Sequence, residues 1–209
     1  MKKFLFVLIL SISFSKSNNL SAQRSIEISP FIGYTFSGSA NGYTALGYVN
    51  YDIKDDMSYG VVINTDVGDL TQGELSYTRI DTRMVRTGNL LQPEYINMGV
   101  EYYQLGGVKK FMLQEDLFPF VKLSLGANRY FDKGGVYDSS WAFSAIFGAG
   151  IKKFFSERIG IKLYTNLNMP MKFNGLGIWV GTGGTGGGAN FYVPLVHWDL
   201  GGALIFKLE

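Results

Sequence analysis

Residues 142–167, AFSAIFGAGIKKFFSERIGIKLYTNL, alternate apolar and polar positions on either side of a short charged knot. Before the knot Phe143, Ala145, Phe147, Ala149 and Ile151 share one phase, against Ser144, Gly148, Gly150 and Lys152. After it Ile159, Ile161, Leu163, Thr165 and Leu167 oppose Gly160, Lys162, Tyr164, Asn166 and Asn168. A period of two is that of a β-strand, so the stretch predicts two antiparallel strands joined by a polar turn. The same test predicts six more. They run from Ile26 to Phe36, from Tyr59 to Val67, through Leu75 and Tyr77 in GELSYTRIDTRM, from Ile96 to Tyr102, from Val121 to Ala127 and from Val196 to Leu208.

The connections between these eight strands alternate in length. Those after the first, third, fifth and seventh cover 37–57, 84–94, 132–140 and 170–194, whereas the others fall on GDLTQ, KKFMLQED and KFFSER. Long loops at one end, with tight turns and both termini at the other, are the asymmetry of a transmembrane β-barrel.

Period alone does not say which phase faces inward, but the content of each phase does. The apolar phase of most strands is free of charge, while the polar phase is crowded with Gly, Ser and Asn and carries Glu27, Glu101, Lys122, Lys152, Lys162 and Asp199. The water-facing surface of a soluble protein is rich in Lys and Glu instead. The lumen of an eight-stranded barrel has room only for small side chains and a few paired charges. A Lys or Arg facing hydrocarbon at mid-depth costs roughly 2–4 kcal/mol, so a lipid-facing phase avoids it. The expected fold is therefore all-β: an eight-stranded antiparallel up-and-down transmembrane barrel, with those six charged residues forming an internal network in which Glu27, Glu101 and Asp199 neutralise the lysines. Arg79, Asp81 and Arg83 continue the phase of Leu75 and Tyr77. A tilted strand crosses the apolar band in about 9–11 residues, so these three are expected above the membrane. Phe36, Tyr59, Tyr95, Trp141 and Trp198 are expected to form an aromatic girdle at the long-loop end, with Phe154, Phe155 and Phe206 at the other.

The N-terminus changes what has to fold. MKK is a basic segment, Phe4 to Phe14 an apolar one, and SKSNNLSA a polar stretch ending in small residues, the order of a secretory signal peptide. The expected division is a signal peptide over 1–22 and a barrel over 23–209. Loss of Lys2, Lys3 and Lys16 leaves 16 of the 19 basic residues against 17 acidic ones, so the apparent net charge of +2 vanishes. With no basic run remaining, the sequence carries no nucleic-acid footprint. It has no cysteine, which excludes disulfides, thiol nucleophiles and a cysteine-linked lipid anchor. Aromatics at 15% and 27 glycines, against only 17% charged residues, agree with an all-β chain.

The segments SYGVVINTDVGDLTQGELSYTR, FPFVKLSLGANRYF, FGAGIKKFFSERIGIK, GTGGTGGG and DLGGALIFKL together resemble the small outer-membrane β-barrel ("porin-family") proteins of Gram-negative bacteria, over nearly all of the chain beyond the leader. The resemblance implies the cell outer membrane as location, its lipid as partner and the barrel-assembly machinery as partner during biogenesis. The last strand is similar to the signal which that machinery reads, with Asp199, Gly201, Leu204 and Phe206 in the matching places, although it ends in Leu208 and Glu209 where a terminal aromatic is usual.

Candidate chemistry is sparse. Gly181, Gly183 and Gly186 spell a dinucleotide fingerprint, but in a loop with no strand before it and no helix after it. His197 is the single histidine and shares a strand face with Asp199, so a serine from another strand would complete a hydrolase triad. The His and Ser motif of lipid-modifying barrels is absent from its surroundings. Asp52, Asp55 and Asp56 lack the spacing of a calcium loop. No catalytic residue, metal or cofactor is assigned. The expected role is structural or one of surface interaction through the long loops. The alternatives are a narrow channel or binding barrel for small solutes, and a soluble secreted β-barrel carrying an apolar ligand.

Overall fold

The computed structural model describes residues 25–44, 47–88, 91–181, 184–192 and 196–208, and the expected leader lies outside them. Eleven strands occur among the described residues: β1 Ile26–Phe36, β2 Ser39–Thr44, β3 Gly47–Ile53, β4 Asp56–Gly68, β5 Thr71–Gly88, β6 Leu91–Lys110, β7 Leu117–Asp132, β8 Ser140–Phe154, β9 Ile159–Gly181, β10 Gly184–Tyr192 and β11 His197–Leu208. Eight of them close a ring of antiparallel neighbours in the order β1, β4, β5, β6, β7, β8, β9, β11, with β11 pairing back onto β1.

Stepping across facing residues from Ile26 leads through Thr65, Gly73, Gly107, Leu123, Phe147, Leu167 and Trp198 to Phe36 on the starting strand. One circuit thus climbs ten residues, from position 26 to position 36. With strands about 4.8 Å apart and rising about 3.3 Å per residue, that shear tilts them by roughly 40°.

The eight expected barrel strands are present, but the long connections are more ordered than loops. Residues 37–57 contain the β2–β3 hairpin, and β3 pairs with the upper part of β5 from Val49 opposite Gly88 to Ile53 opposite Met84. Residues 84–94 are the top of a continuous β5–β6 hairpin, and 170–194 hold the upper half of β9 with β10 folded back on it. Between β7 and β8 the chain runs through 133–139 without a strand.

The wall has two tiers. In the lower tier the outside is apolar: Ile63, Leu75, Leu105, Leu123, Leu125, Phe147, Leu163 and Leu204 are 38–67% exposed. The inside carries buried Glu27, Asn64, Gln72, Glu74, Gln104, Lys122, Lys152 and Lys162 around a small apolar cluster of Val108, Phe120 and Tyr164. In the upper tier the polarity reverts, since Ile53, Ile80, Met98, Val100 and Tyr102 form an internal apolar cluster against which Met84 and Tyr130 pack. Tyr164 lies along the inner wall over β11 and β1, and its hydroxyl end lies where a Cβ on Gly33 or Gly201 would be, at 3.0 and 2.4 Å. These two glycines leave the room that the ring fills.

Candidate functional site: the filled lumen and its rim

Lysines at inward positions of β7, β8 and β9 must find partners, because an unpaired charge in a closed lumen is strongly destabilising. Two acidic residues supply them. Lys152 Nζ donates to Glu27 at 2.5 Å and to the Gln72 carbonyl at 2.7 Å, and the Gln72 amide bridges to Glu27 at 2.7 Å and to Asp66 at 3.0 Å. Lys122 and Lys162 share Glu74, at 2.8 and 3.4 Å, and Asn64 donates to the same carboxylate at 3.2 Å. The Phe120 ring lies 5.0 Å from Lys162 Nζ and 6.0 Å from Lys152 Nζ, which adds cation–π attraction. Below, Lys110 reaches Asp66 at 3.2 Å, and Ser25 donates to the same carboxylate. The void above this network, beside Lys122, Lys162, Tyr164 and Asn166, measures about 20 Å³, room for about one water.

Four of the six expected network residues come together here: Glu27, Lys122, Lys152 and Lys162. Glu101 does not. It shares the outward phase of Tyr103 and Leu105, where Arg79 meets it at 2.8 Å and Arg129 at 3.6 Å. The inward phase of β6 is the apolar row Ile96, Met98, Val100 and Tyr102. The upper part of this 20-residue strand outlasts the membrane band, so its greasy face turns into the lumen. Asp199 points inward but meets no lysine; Asn168 donates to it, and Thr35 faces it across the β1–β11 ladder. Glu74, Gln72, Asn64 and Asp66 were outside the expected set, although Glu74 lies in the polar phase opposite Leu75 and Tyr77.

The remaining candidates separate under the geometry. His197 is buried at the upper rim, with Ser37 Oγ 3.0 Å from Nδ1 and the Tyr130 hydroxyl 3.2 Å from Nε2. The Asp199 carboxylate is engaged by Asn168 instead, so the acid of a triad is not on the ring. Asp52 pairs with Lys54 at 2.5 Å, Asp55 accepts the Ser37 amide and Asp56 the Met57 amide, so the three carboxylates serve separate partners. No cluster of metal-ligating side chains occurs among the described residues. Gly181 ends β9 and faces Gly184 of β10, while Gly186 faces Trp179; Gly183 lies outside the described residues. The glycine motif therefore sits at the tip of a β-hairpin, where no helix N-terminus is available for a pyrophosphate.

Comparison with known proteins places this architecture. No family model and no curated relative matches the sequence. Solved structures do. Neisserial surface protein A superimposes with a TM-score of 0.59 at 12% identity, over 90% of this chain and 98% of that one. OprG, an outer-membrane protein of Pseudomonas aeruginosa, gives 0.60 at 12% identity, over 89% and 96%. The outer-membrane protein AlkL, solved in lipid bilayers, gives 0.52 at 13% identity, over 93% and 95%.

The chain has the fold of the small Gram-negative outer-membrane β-barrels. In this barrel, Leu204 and Phe206 of the final strand face outward, Gly201 lies beneath Tyr164, and Asp199 faces the lumen. Phe36, Trp141 and Trp198 lie exposed on the outer wall toward the hairpin end, with Phe36 and Trp198 in contact at 5.3 Å between ring centroids. Phe206 and Phe155 are exposed at the turn end.

Proposed function

We propose that this protein is an integral outer-membrane β-barrel with a structural or surface-interaction role, carried by its long extracellular hairpins above a closed lumen. The observation that carries the reading is the inverted lower tier: leucines and phenylalanines outside, with lysines, glutamates and amides inside. Such a wall is stable only where hydrocarbon replaces water around it. The Glu27–Lys152 and Glu74–Lys122–Lys162 contacts across the lumen, with a void of only about 20 Å³ beside Lys122 and Lys162, argue for a plug rather than a pathway. The role is non-catalytic in this reading, and the final strand hands the chain to the barrel-assembly machinery through Leu204 and Phe206.

Fractionation of cells expressing the full chain is the test. The protein should remain with the outer membrane, leave it only with detergent, and migrate differently on gels before and after boiling. In planar bilayers it should give no steady conductance. Recovery as a monomer in plain buffer would overturn the membrane reading, and a steady open channel would replace the plug with solute passage.

A further inference from the structure

On β5, β6 and β7 the lipid-facing rows end upward in charge. Tyr59, Arg79, Glu101, Arg129 and Trp141 face one another in a single outward row across five strands, six residues above the row of Gly73, Gly107 and Leu123. The register brings this row level with Phe36 and Trp198 on the opposite wall, the height of the upper aromatic girdle. On the β5–β7 side the girdle and the recess just above it therefore carry, besides the Lys54–Asp52 pair, four cations, Arg79, Arg83, Arg129 and Lys133, against three carboxylates, Asp56, Asp81 and Glu101.

The arrangement is built, not incidental. Arg79 is clamped between Asp81 and Glu101 at 2.8 Å each and stacks over Phe131 at 4.7 Å. Arg129 lies over the same ring at 4.8 Å and over Trp141 at 5.9 Å, with only a long contact to Glu101 at 3.6 Å. Gly99 sits directly beneath Phe131, where a Cβ would fall 2.3 Å from the ring. Asp81 holds Lys133 at 2.9 Å, and the Tyr59 hydroxyl donates to the same carboxylate at 2.8 Å. Arg83 is exposed, and beside it opens a recess of about 660 Å³ lined also by Lys54, Asn97 and Lys133 and by the carboxylates Asp56 and Asp81. Arg79 spends its N–H groups on Asp81 and Glu101, whereas Arg129, set over two aromatic rings and only distantly paired, has N–H groups to offer a tetrahedral anion such as phosphate.

We propose that this outward cluster binds the phosphate-bearing headgroup of an outer-leaflet glycolipid, with Arg83, Arg129 and Lys133 on the phosphates and the Trp141 and Tyr103 rings against sugar. The proposal rests on the membrane reading above. An outward-facing cation at girdle height meets the headgroup layer, and an anionic headgroup is the partner whose charge matches the excess. The ion-paired Arg79, Asp81 and Glu101 hold the frame; the exposed Arg83, Arg129 with its long contact to Glu101, and Lys133, which shares Asp81 with Arg79 and Tyr59, receive the ligand.

The full chain is reconstituted in phosphatidylcholine vesicles, alone, with phosphorylated lipid A, or with the same glycolipid after dephosphorylation. The midpoint of heat-modifiable unfolding is then measured at low and high salt. The midpoint should rise with the phosphorylated lipid only, and less so at high salt. The triple variant Arg83→Gln, Arg129→Gln, Lys133→Gln should insert normally in phosphatidylcholine and lose that rise. The pair Lys109→Gln, Lys153→Gln at the turn end should keep it. An equal rise with the dephosphorylated lipid, or a triple variant that keeps the rise, overturns the site. So does a soluble inositol polyphosphate that gives the same rise in phosphatidylcholine, because the ligand would then be a free polyanion. Failure of the parent to insert into any vesicle overturns the membrane reading itself.

Discussion

Lys152 is fully buried, and its ammonium has two partners, Glu27 at 2.5 Å and Gln72 at 2.7 Å. Lys152→Met leaves Glu27 charged and under-solvated, so the expected loss is about 3–5 kcal/mol. Glu27→Gln combined with Lys152→Met removes both charges and should recover most of that loss. Urea titration of the heat-modifiable form reads both, and equal losses in the single and double variants would refute the pairing. Asp132 tests a residue outside the membrane. Amide donation from Gly134, Val136 and Tyr137 holds its carboxyl below the usual carboxylate range, and Gly135 takes a positive φ of 71° to let the chain wrap it. A depressed folded value means that this contribution is complete above the unfolded aspartate value of about 3.9 and is lost as pH falls through the lower folded value. Asp132→Ala should make 133–139 more readily cleaved at neutral pH, with the barrel unchanged, and in the parent the same susceptibility should appear only in strong acid. The lysines of the lumen were legible in the sequence because they interrupt an otherwise small polar phase. Their acidic partner Glu74 was in the same phase but could not be matched to Lys122 and Lys162 without the register, since 48 and 88 residues of chain separate them.

At the scale of elements, the strands were legible and their upper halves were not. Alternation marks a strand wherever its two faces meet different media, but the sign of the alternation depends on which medium is outside. Below the headgroups the outside is hydrocarbon, and above them it is water. β5 runs for 18 residues and β6 for 20, whereas the band takes about 9–11, so each strand obeys one rule below and the opposite rule above. The position of Arg79, Asp81 and Arg83 follows from this, and so does the inversion at Ile96, Met98, Val100 and Tyr102 that moved Glu101 from the expected lumen to the outer wall. The β2–β3 hairpin was missed because its strands are short and polar, and its seat is tertiary: Ile53 enters the upper apolar cluster, the Lys54 amide donates to Arg83, and the Thr82 hydroxyl donates to the Lys54 carbonyl at 2.6 Å. Ile53→Ala should weaken that seat by about 2–5 kcal/mol. Because the eight-strand ring closes without β3, the expected result is faster proteolysis of 39–53 with unchanged heat-modifiable mobility. Loss of the folded barrel band would mean that the hairpin is part of the ring's own stability.

For the whole molecule, the decisive quantity is the free energy of the outer surface as a function of depth. Leu123 lies in the outward row halfway round the circuit that begins at Ile26, is 57% exposed, and faces Gly107 and Phe147 on its neighbours. Val67 is 64% exposed beside the β4–β5 turn, at the lower edge of the same wall. If hydrocarbon surrounds the barrel, Leu123→Arg should cost roughly 2–4 kcal/mol and Val67→Arg only about 0–1, because the penalty for a cation falls from the bilayer midplane to the interface. If water surrounds it, both substitutions sit on an exposed surface and should stay within about 0.5 kcal/mol of the parent. Folding titrations in phosphatidylcholine vesicles with urea distinguish the two, provided both variants reach the heat-modifiable state. The same experiment bears on the lumen. A wall that repels arginine at Leu123 is sealed against water from outside, and only then do Glu27, Glu74 and the three lysines have each other, and not solvent, as their means of neutralisation.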